Sequence, residues 1–288
     1  MSSLEFHQAP NRTNETPTIV MPSILAGAEH GTDGKLGDLG QRAGWMAEAL
    51  NANVISVQRT TPDDTAQKRF NGLPKALTTA EYVQGVNRTA QKISDLLSRH
   101  GAMGELHLFG ASAGGSYGLE LARTERLPFE AIALFDPNAM RRLHTKFGAV
   151  AGWAGRLGVQ RKLASRRGDP FANKNGLGYD LTPPVGPLQD MGLHENIWKS
   201  NRSQGTLTEL ASGGLLPNAT TRLWIPKATF TDSAAHHQAT VQRLNGLAEA
   251  SGTDFHAQIT EMPHWATDDP ARTTKLMAET LDARHSSK

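Results

Sequence analysis

One short stretch of the chain carries the residue types of nucleophilic chemistry. Gly110-Ala111-Ser112-Ala113-Gly114-Gly115 sets a serine between glycines two residues to either side. An apolar run, Leu106-His107-Leu108-Phe109, precedes it, and Tyr117-Gly118-Leu119-Glu120-Leu121-Ala122 follows with helical spacing. Strand, G-x-S-x-G turn and helix make the nucleophile-elbow pattern. In so sharp a turn a side chain at Gly110 or Gly114 would collide with the neighbouring strand or helix. The serine is expected to take a strained backbone conformation that lifts its hydroxyl clear of the sheet. The helix behind it turns free N–H groups and partial positive charge toward any oxyanion formed there.

A serine hydroxyl is a weak nucleophile and needs a base, which needs an orienting acid. Two such residues stand in order, each just past a predicted strand. Asp232 follows the run from Arg222 to Phe230, and His264 follows Phe255 to Thr260 within Glu261-Met262-Pro263-His264-Trp265. The order serine, acid, histidine, with GASAGG at 110–115 and MPHWATDDP at 262–270, resembles the α/β-hydrolase family. The resemblance covers Pro17 to Ala283.

It implies that Ser112 attacks, that His264 takes its proton and returns it to the leaving group, and that Asp232 fixes the ring's tautomer and stabilises the imidazolium. The N–H of Ala113 would be one oxyanion donor. Relatives often carry His-Gly after the first strand for the second donor, whereas this chain has Pro22-Ser23-Ile24. Ile24 N–H is therefore the candidate and Ser23 the next, because Pro22 has no N–H. The pair His30-Gly31 stands too far from the strand end. Asp136 is the alternative acid, since some relatives place it after that earlier strand. Its plain structural role would be a strand-end turn with Pro137.

Other titratable residues give weaker signals. Adjacent histidines, His236-His237, point about 100° apart on a helix and form no H-E-x-x-H frame, so a solvated helix start is expected there and no metal site. His107 lies within a strand and reads as a core residue. Gly31-Thr32-Asp33-Gly34-Lys35 lacks the spacing and the Ser/Thr of a phosphate loop. The chemistry calls for no cofactor.

Positioning these groups requires strand ends brought side by side. Strand signals fall at 17–21, 53–57, 106–109, 131–135, 222–230 and 255–260. Helix signals fall at 41–50, 78–101, 117–122, 236–250 and 269–283. Alternating strands and helices predict an α/β fold, a mainly parallel sheet covered on both faces, with functional groups at the carboxyl ends of the strands. Residues 1–16 read as a flexible arm, 17–136 and 222–288 as the α/β core, and 137–221 as a mostly helical cap or lid insertion.

The first part of that insertion is basic. Arg141, Arg142, Lys146, Arg156, Arg161, Lys162, Arg166, Arg167 and Lys174 face only Asp169, interleaved with Leu143, Phe147, Val150, Trp153, Leu157 and Leu163. The favoured reading packs the apolar residues onto the core and leaves the cations in solvent. Contact with an anionic membrane surface is the alternative.

Composition bounds the rest. The 288 residues carry a net charge of +2, which gives no argument for nucleic acid, and no cysteine, which excludes a thiol nucleophile or thiolate metal ligands. No apolar run approaches the roughly 20 residues of a membrane span. The polar start MSSLEFHQAPNRTNET lacks the layout of a signal peptide, so a cytoplasmic location is expected. The resulting expectation is a cofactor-free serine hydrolase forming an acyl-enzyme on a small to medium carboxylic ester, thioester or amide. A ligand receptor of the same fold with an idle triad, and a lid-gated lipase or acyltransferase at anionic surfaces, remain the alternatives. A homo-oligomer stays open.

Overall fold

The computed structural model describes residues 3–22, 38–58, 79–137, 192–227, 234–262, 267 and 269–287. Their elements run β1 (Ser3–His7), β2 (Thr18–Pro22), α1 (Asp38–Leu50), β3 (Asn53–Gln58), α2 (Thr79–His100), β4 (Leu106–Ala111) and α3 (Ser112–Ala122). Then follow β5 (Phe129–Phe135), α4 (Gly192–Ala211), β6 (Thr220–Pro226), α5 (Ala234–Ser251), β7 (Phe255–Thr260) and α6 (Pro270–Ser287). The seven strands form one sheet in the order β1-β3-β2-β4-β5-β6-β7. Only β1 is antiparallel to its neighbour; the remaining pairs are parallel.

Strand residues alternate between two cores, as a pleated sheet covered on both faces requires. Val20, Ile55, Leu108, Ile132, Leu134 and Leu223 join side chains of α2, α3, α4 and α5. Their neighbours Ile19, Val54, Phe109, Ala131, Ala133 and Trp224 join α1 and α6. On one face Tyr117 of α3 donates its hydroxyl to Thr89 Oγ1 of α2 at 2.9 Å, so its polar tip is satisfied where its ring is buried.

Two domain expectations change. Ser3–His7, expected within a flexible arm, is an edge strand paired in register from Ser3–Gln58 to His7–Val54. Its alternation explains this, since Leu4 and Phe6 pack against the core while Glu5 between them is exposed. The second change concerns the end of the insertion. Residues 192–211 are helical as expected, but Leu207, Leu210 and Ala211 lie in the same core as α3 and α5. The C-terminal half of α4 thus belongs to the helical layer of the core, and β6 begins at Thr220. The basic part of the insertion lies outside the described residues.

Candidate active site

Ser112 is the first residue of α3, immediately after the last residue of β4. Its φ is +49°, a left-handed value that a non-glycine residue adopts at a cost of about 1 kcal/mol or more. The residue is 8% exposed. Glycine makes the turn compact: a Cβ on Gly110 would lie 2.7 Å from Gly115 Cα, and one on Gly115 would lie 3.0 Å from Pro137 Cβ. Gly110 and Gly115 thus approach too closely for a side chain on Gly110. Sequence reasoning named Gly110 but not Gly115. At Gly118 a Cβ would meet Leu108 at 3.0 Å, so α3 lies directly on its own strand.

Ala111, the N-cap residue of α3, is extended and gives the helix no side-chain cap. The first turn, which includes Ala113, thus begins at the carboxyl edge of the sheet with its dipole uncapped by that residue. Farther along, Glu120 accepts a hydrogen bond from Arg202 Nε of α4 at 2.6 Å, and Arg123 bonds Glu209 at 3.0 Å. These charge-assisted bonds fix the nucleophile helix to its neighbour.

Asp136 stands one residue beyond β5, as Ser112 does beyond β4. Ala111 and Phe135 are register partners, so the two candidates leave adjacent strands at the same level. Asp136 is 1% exposed, its φ is +39°, and its N–H donates to Trp224 O at 2.8 Å. The turn it makes carries Pro137 onto Gly115.

Asp232, His264 and Ile24 lie outside the described residues. What the structure does describe is where their segments are anchored. Pro226 and Thr260 are register partners at the ends of β6 and β7, and Lys227 N–H donates to Thr260 O at 3.0 Å. The segment bearing Asp232 leaves from Lys227. The segment bearing His264 leaves from Met262, whose N–H donates to Thr260 Oγ1 at 3.1 Å. On the far side of His264, the Thr267 carbonyl accepts from Arg42 Nη1 at 3.2 Å and from Thr273 Oγ1 at 2.9 Å. Asp269 then accepts from Ala271 N–H at 3.0 Å, with Pro270 starting α6, as the acid–proline pair in the sequence leads one to expect. Pro22, which precedes Ile24 by two residues, ends β2, the strand beside β4.

Two buried side chains at this edge had no signal in the sequence. Arg42 is 5% exposed, and nothing in α1 marks it as reaching residue 267. His237, expected in solvent, is fully buried, with Nδ1 2.7 Å from Pro226 O. His107 is buried in β4 as expected, 3.7 Å from Glu105 at the opposite end of the strand from Ser112. Among the described residues no group of histidine, aspartate and glutamate could hold a metal ion. No helix of the described residues is long and apolar enough to cross a membrane.

No family model matches the chain, and no curated protein sequence does. Solved structures do. The chain is similar to a thermophilic esterase from Thermogutta terrifontis, with 14% identity and a TM-score of 0.52 over 99% of this chain and 94% of that one. It is similar to a deformylase from Pseudomonas putida S16, with 15% identity and a TM-score of 0.51 over 96% and 95%. A monoacylglycerol lipase from Paleococcus ferrophilus gives 11% identity and a TM-score of 0.50 over 97% and 99%. The parallel sheet flanked by helices, the strained serine between strand and helix, and likenesses that span nearly the whole chain give one answer: this chain has the α/β-hydrolase fold.

Proposed function

We propose that the protein is a serine hydrolase that forms an acyl-enzyme on a small to medium carboxylic ester, thioester or amide. Ser112 is the nucleophile, His264 its base, Asp232 the orienting acid, and the N–H groups of Ala113 and Ile24 the oxyanion donors. The observation that carries this reading is the strained Ser112 at the mouth of an uncapped helix. Gly110 and Gly115 pack so closely beside it that a Cβ on Gly110 would lie 2.7 Å from Gly115 Cα, which makes the turn compact. The similar structures named as an esterase, a lipase and a deformylase support hydrolysis of an acyl bond. Attack by Ser112 Oγ on the acyl carbon would pass its proton to His264. Collapse would expel the alcohol, thiol or amine with that proton, and water would repeat the cycle on the acyl-enzyme.

Treating the protein with a fluorophosphonate tests this directly. One adduct on Ser112, absent in Ser112→Ala, is the expected result. No adduct on folded wild type would reject an activated nucleophile and favour a ligand receptor of this fold.

One observation favours a second assignment of the acid. Asp136 is buried at the strand end next to Ser112. Asp232→Asn and Asp136→Asn separate the two, because the true orienting acid loses about 10⁴-fold in kcat on this change. A larger loss in Asp136→Asn would move the role to that residue.

A further inference from the structure

His237 is a buried histidine without a role in the chemistry proposed above. It sits in the first turn of α5 with no solvent exposure. Its Nδ1 is 2.7 Å from the carbonyl oxygen of Pro226, the last residue of β6. A carbonyl can only accept, so Nδ1 carries the proton and donates. Nε2 is buried too and has no hydrogen-bond partner among the described residues. Leaving a polar atom bare in this way costs about 1–3 kcal/mol, which an apolar side chain of similar volume would avoid. What the position gains from histidine is therefore the bond to Pro226.

The sheet explains why that bond is needed. Successive carbonyls of a strand point to alternate sides, so Trp224 O and Pro226 O face the same neighbour, β5. Trp224 O receives its ladder bond from Asp136 N–H at 2.8 Å. Two residues on, β5 has ended at Phe135, and among the described residues the donor to Pro226 O is His237. The His237 imidazole fills that place. The donor comes from farther along the chain: residues 227–236 separate Pro226 from His237 in sequence, and Asp232 lies among them. One hydrogen bond thus closes the segment at its two ends. The same strand end is bonded to β7 through Lys227 N–H and Thr260 O at 3.0 Å.

We infer that His237 is a positioning residue: by donating from Nδ1 to the Pro226 carbonyl, it ties together the two points of the chain between which Asp232 lies. This rests on the assignment of Asp232 proposed above. The ring itself touches no reacting atom. It takes up the strand-end carbonyl and ties the first turn of α5 to the end of β6.

The test compares wild type, His237→Asn and His237→Leu. Asparagine can bring an N–H to the place of Nδ1, whereas leucine fills the volume without a donor. Active sites are titrated with fluorophosphonate, kcat and KM are measured on p-nitrophenyl acetate, and amide exchange is followed in peptides covering 227–236. In His237→Leu, kcat per titrated site is expected to fall about 10- to 100-fold with KM within about threefold, because a displacement near 1 Å suffices for such a loss. Exchange in 227–236 should rise, and His237→Asn should recover most of both. Wild-type kcat per site and unchanged exchange in His237→Leu would overturn the inference, as would equal losses in both variants. If the leucine variant does not fold, His237→Gln replaces it, since its amide reaches the Nε2 position but not Nδ1. Wild type that takes no probe would sink the hydrolase reading instead. The exchange comparison alone would then decide whether His237 fastens the loop.

Discussion

The two edges of the central sheet solve opposite problems. At the amino edge, Arg284 of α6 reaches between two strand starts, bonding Glu105 through Nε and Nη2 at 3.1 Å each and pairing with Glu130. Asn53 at the start of β3 takes Ala9 N–H at 3.2 Å, and Asp254 takes Thr220 Oγ1 at 2.7 Å and Arg222 at 2.7 Å. The carboxyl edge instead carries the candidate residues. Ser112 and Asp136 hold positive φ side by side, and Ser116 Oγ and His237 Nε2 are buried without partners among the described residues. One edge closes the sheet with satisfied charge. The other places two positive-φ residues at adjacent strand ends, where chemistry is proposed.

Variants at the two edges should therefore separate stability from activity. The largest effect is expected from Ser112→Ala, which should lower kcat by at least about 10³-fold while leaving the thermal midpoint within about 2 °C. A large fall in the midpoint would mean that the hydroxyl supports the fold and would dissolve the contrast. Next is Gly110→Ala, whose methyl would press on Gly115 Cα at 2.7 Å. Urea unfolding should show a loss of about 1–3 kcal/mol, with slower fluorophosphonate labelling, because the elbow must open. Labelling at the wild-type rate would show that the turn tolerates the shift.

Arg284→Gln tests the other edge. It takes the guanidinium away from two carboxylates that are partly solvated, Glu105 at 31% and Glu130 at 42% side-chain exposure, so a loss of about 2 kcal/mol is expected, below that of a fully buried pair. Turnover per titrated site should not change; if it drops, the edges are coupled.

The smallest effect concerns His7, at the end of β1. Burial holds it below the ordinary value of 6.5, with Glu5 pulling partly back. Between that lowered value and 6.5 the unfolded chain binds more protons. Its contribution to stability is thus complete above pH 6.5 and declines as the pH falls through the folded value. Thermal midpoints at pH 7.5 and pH 5.5 should differ less in His7→Asn than in wild type. An identical pH dependence in both would place the effect elsewhere.

How far the sequence could be read varied with the range of the interactions involved. The elbow was legible because sterics between near neighbours write it as G-x-S-x-G, and the runs 53–57, 106–109 and 255–260 announced their strands by composition. β1 was hidden in a polar segment, since only pairing with β3 gives Leu4 and Phe6 a core to face. α4 was assigned to the insertion because its polar residues mask the stripe of Leu207, Leu210 and Ala211. His237 read as a solvated residue, because nothing near it in sequence reveals an unpaired carbonyl at the end of another element.

The amino-acid sequence alone determined the alternation of strands and helices, the turn at Ser112 and the order of the candidate residues along the chain. These follow from periodicity and from contacts within a few residues. Tertiary structure decided which strand ends stand together, that Asp136 leaves β5 at the level where Ser112 leaves β4, and which side chains brace the edge. Arg42 meets Thr267 across 225 positions and Arg284 meets Glu105 across 179. Such partners are chosen by the packing of whole elements, and no local pattern records them.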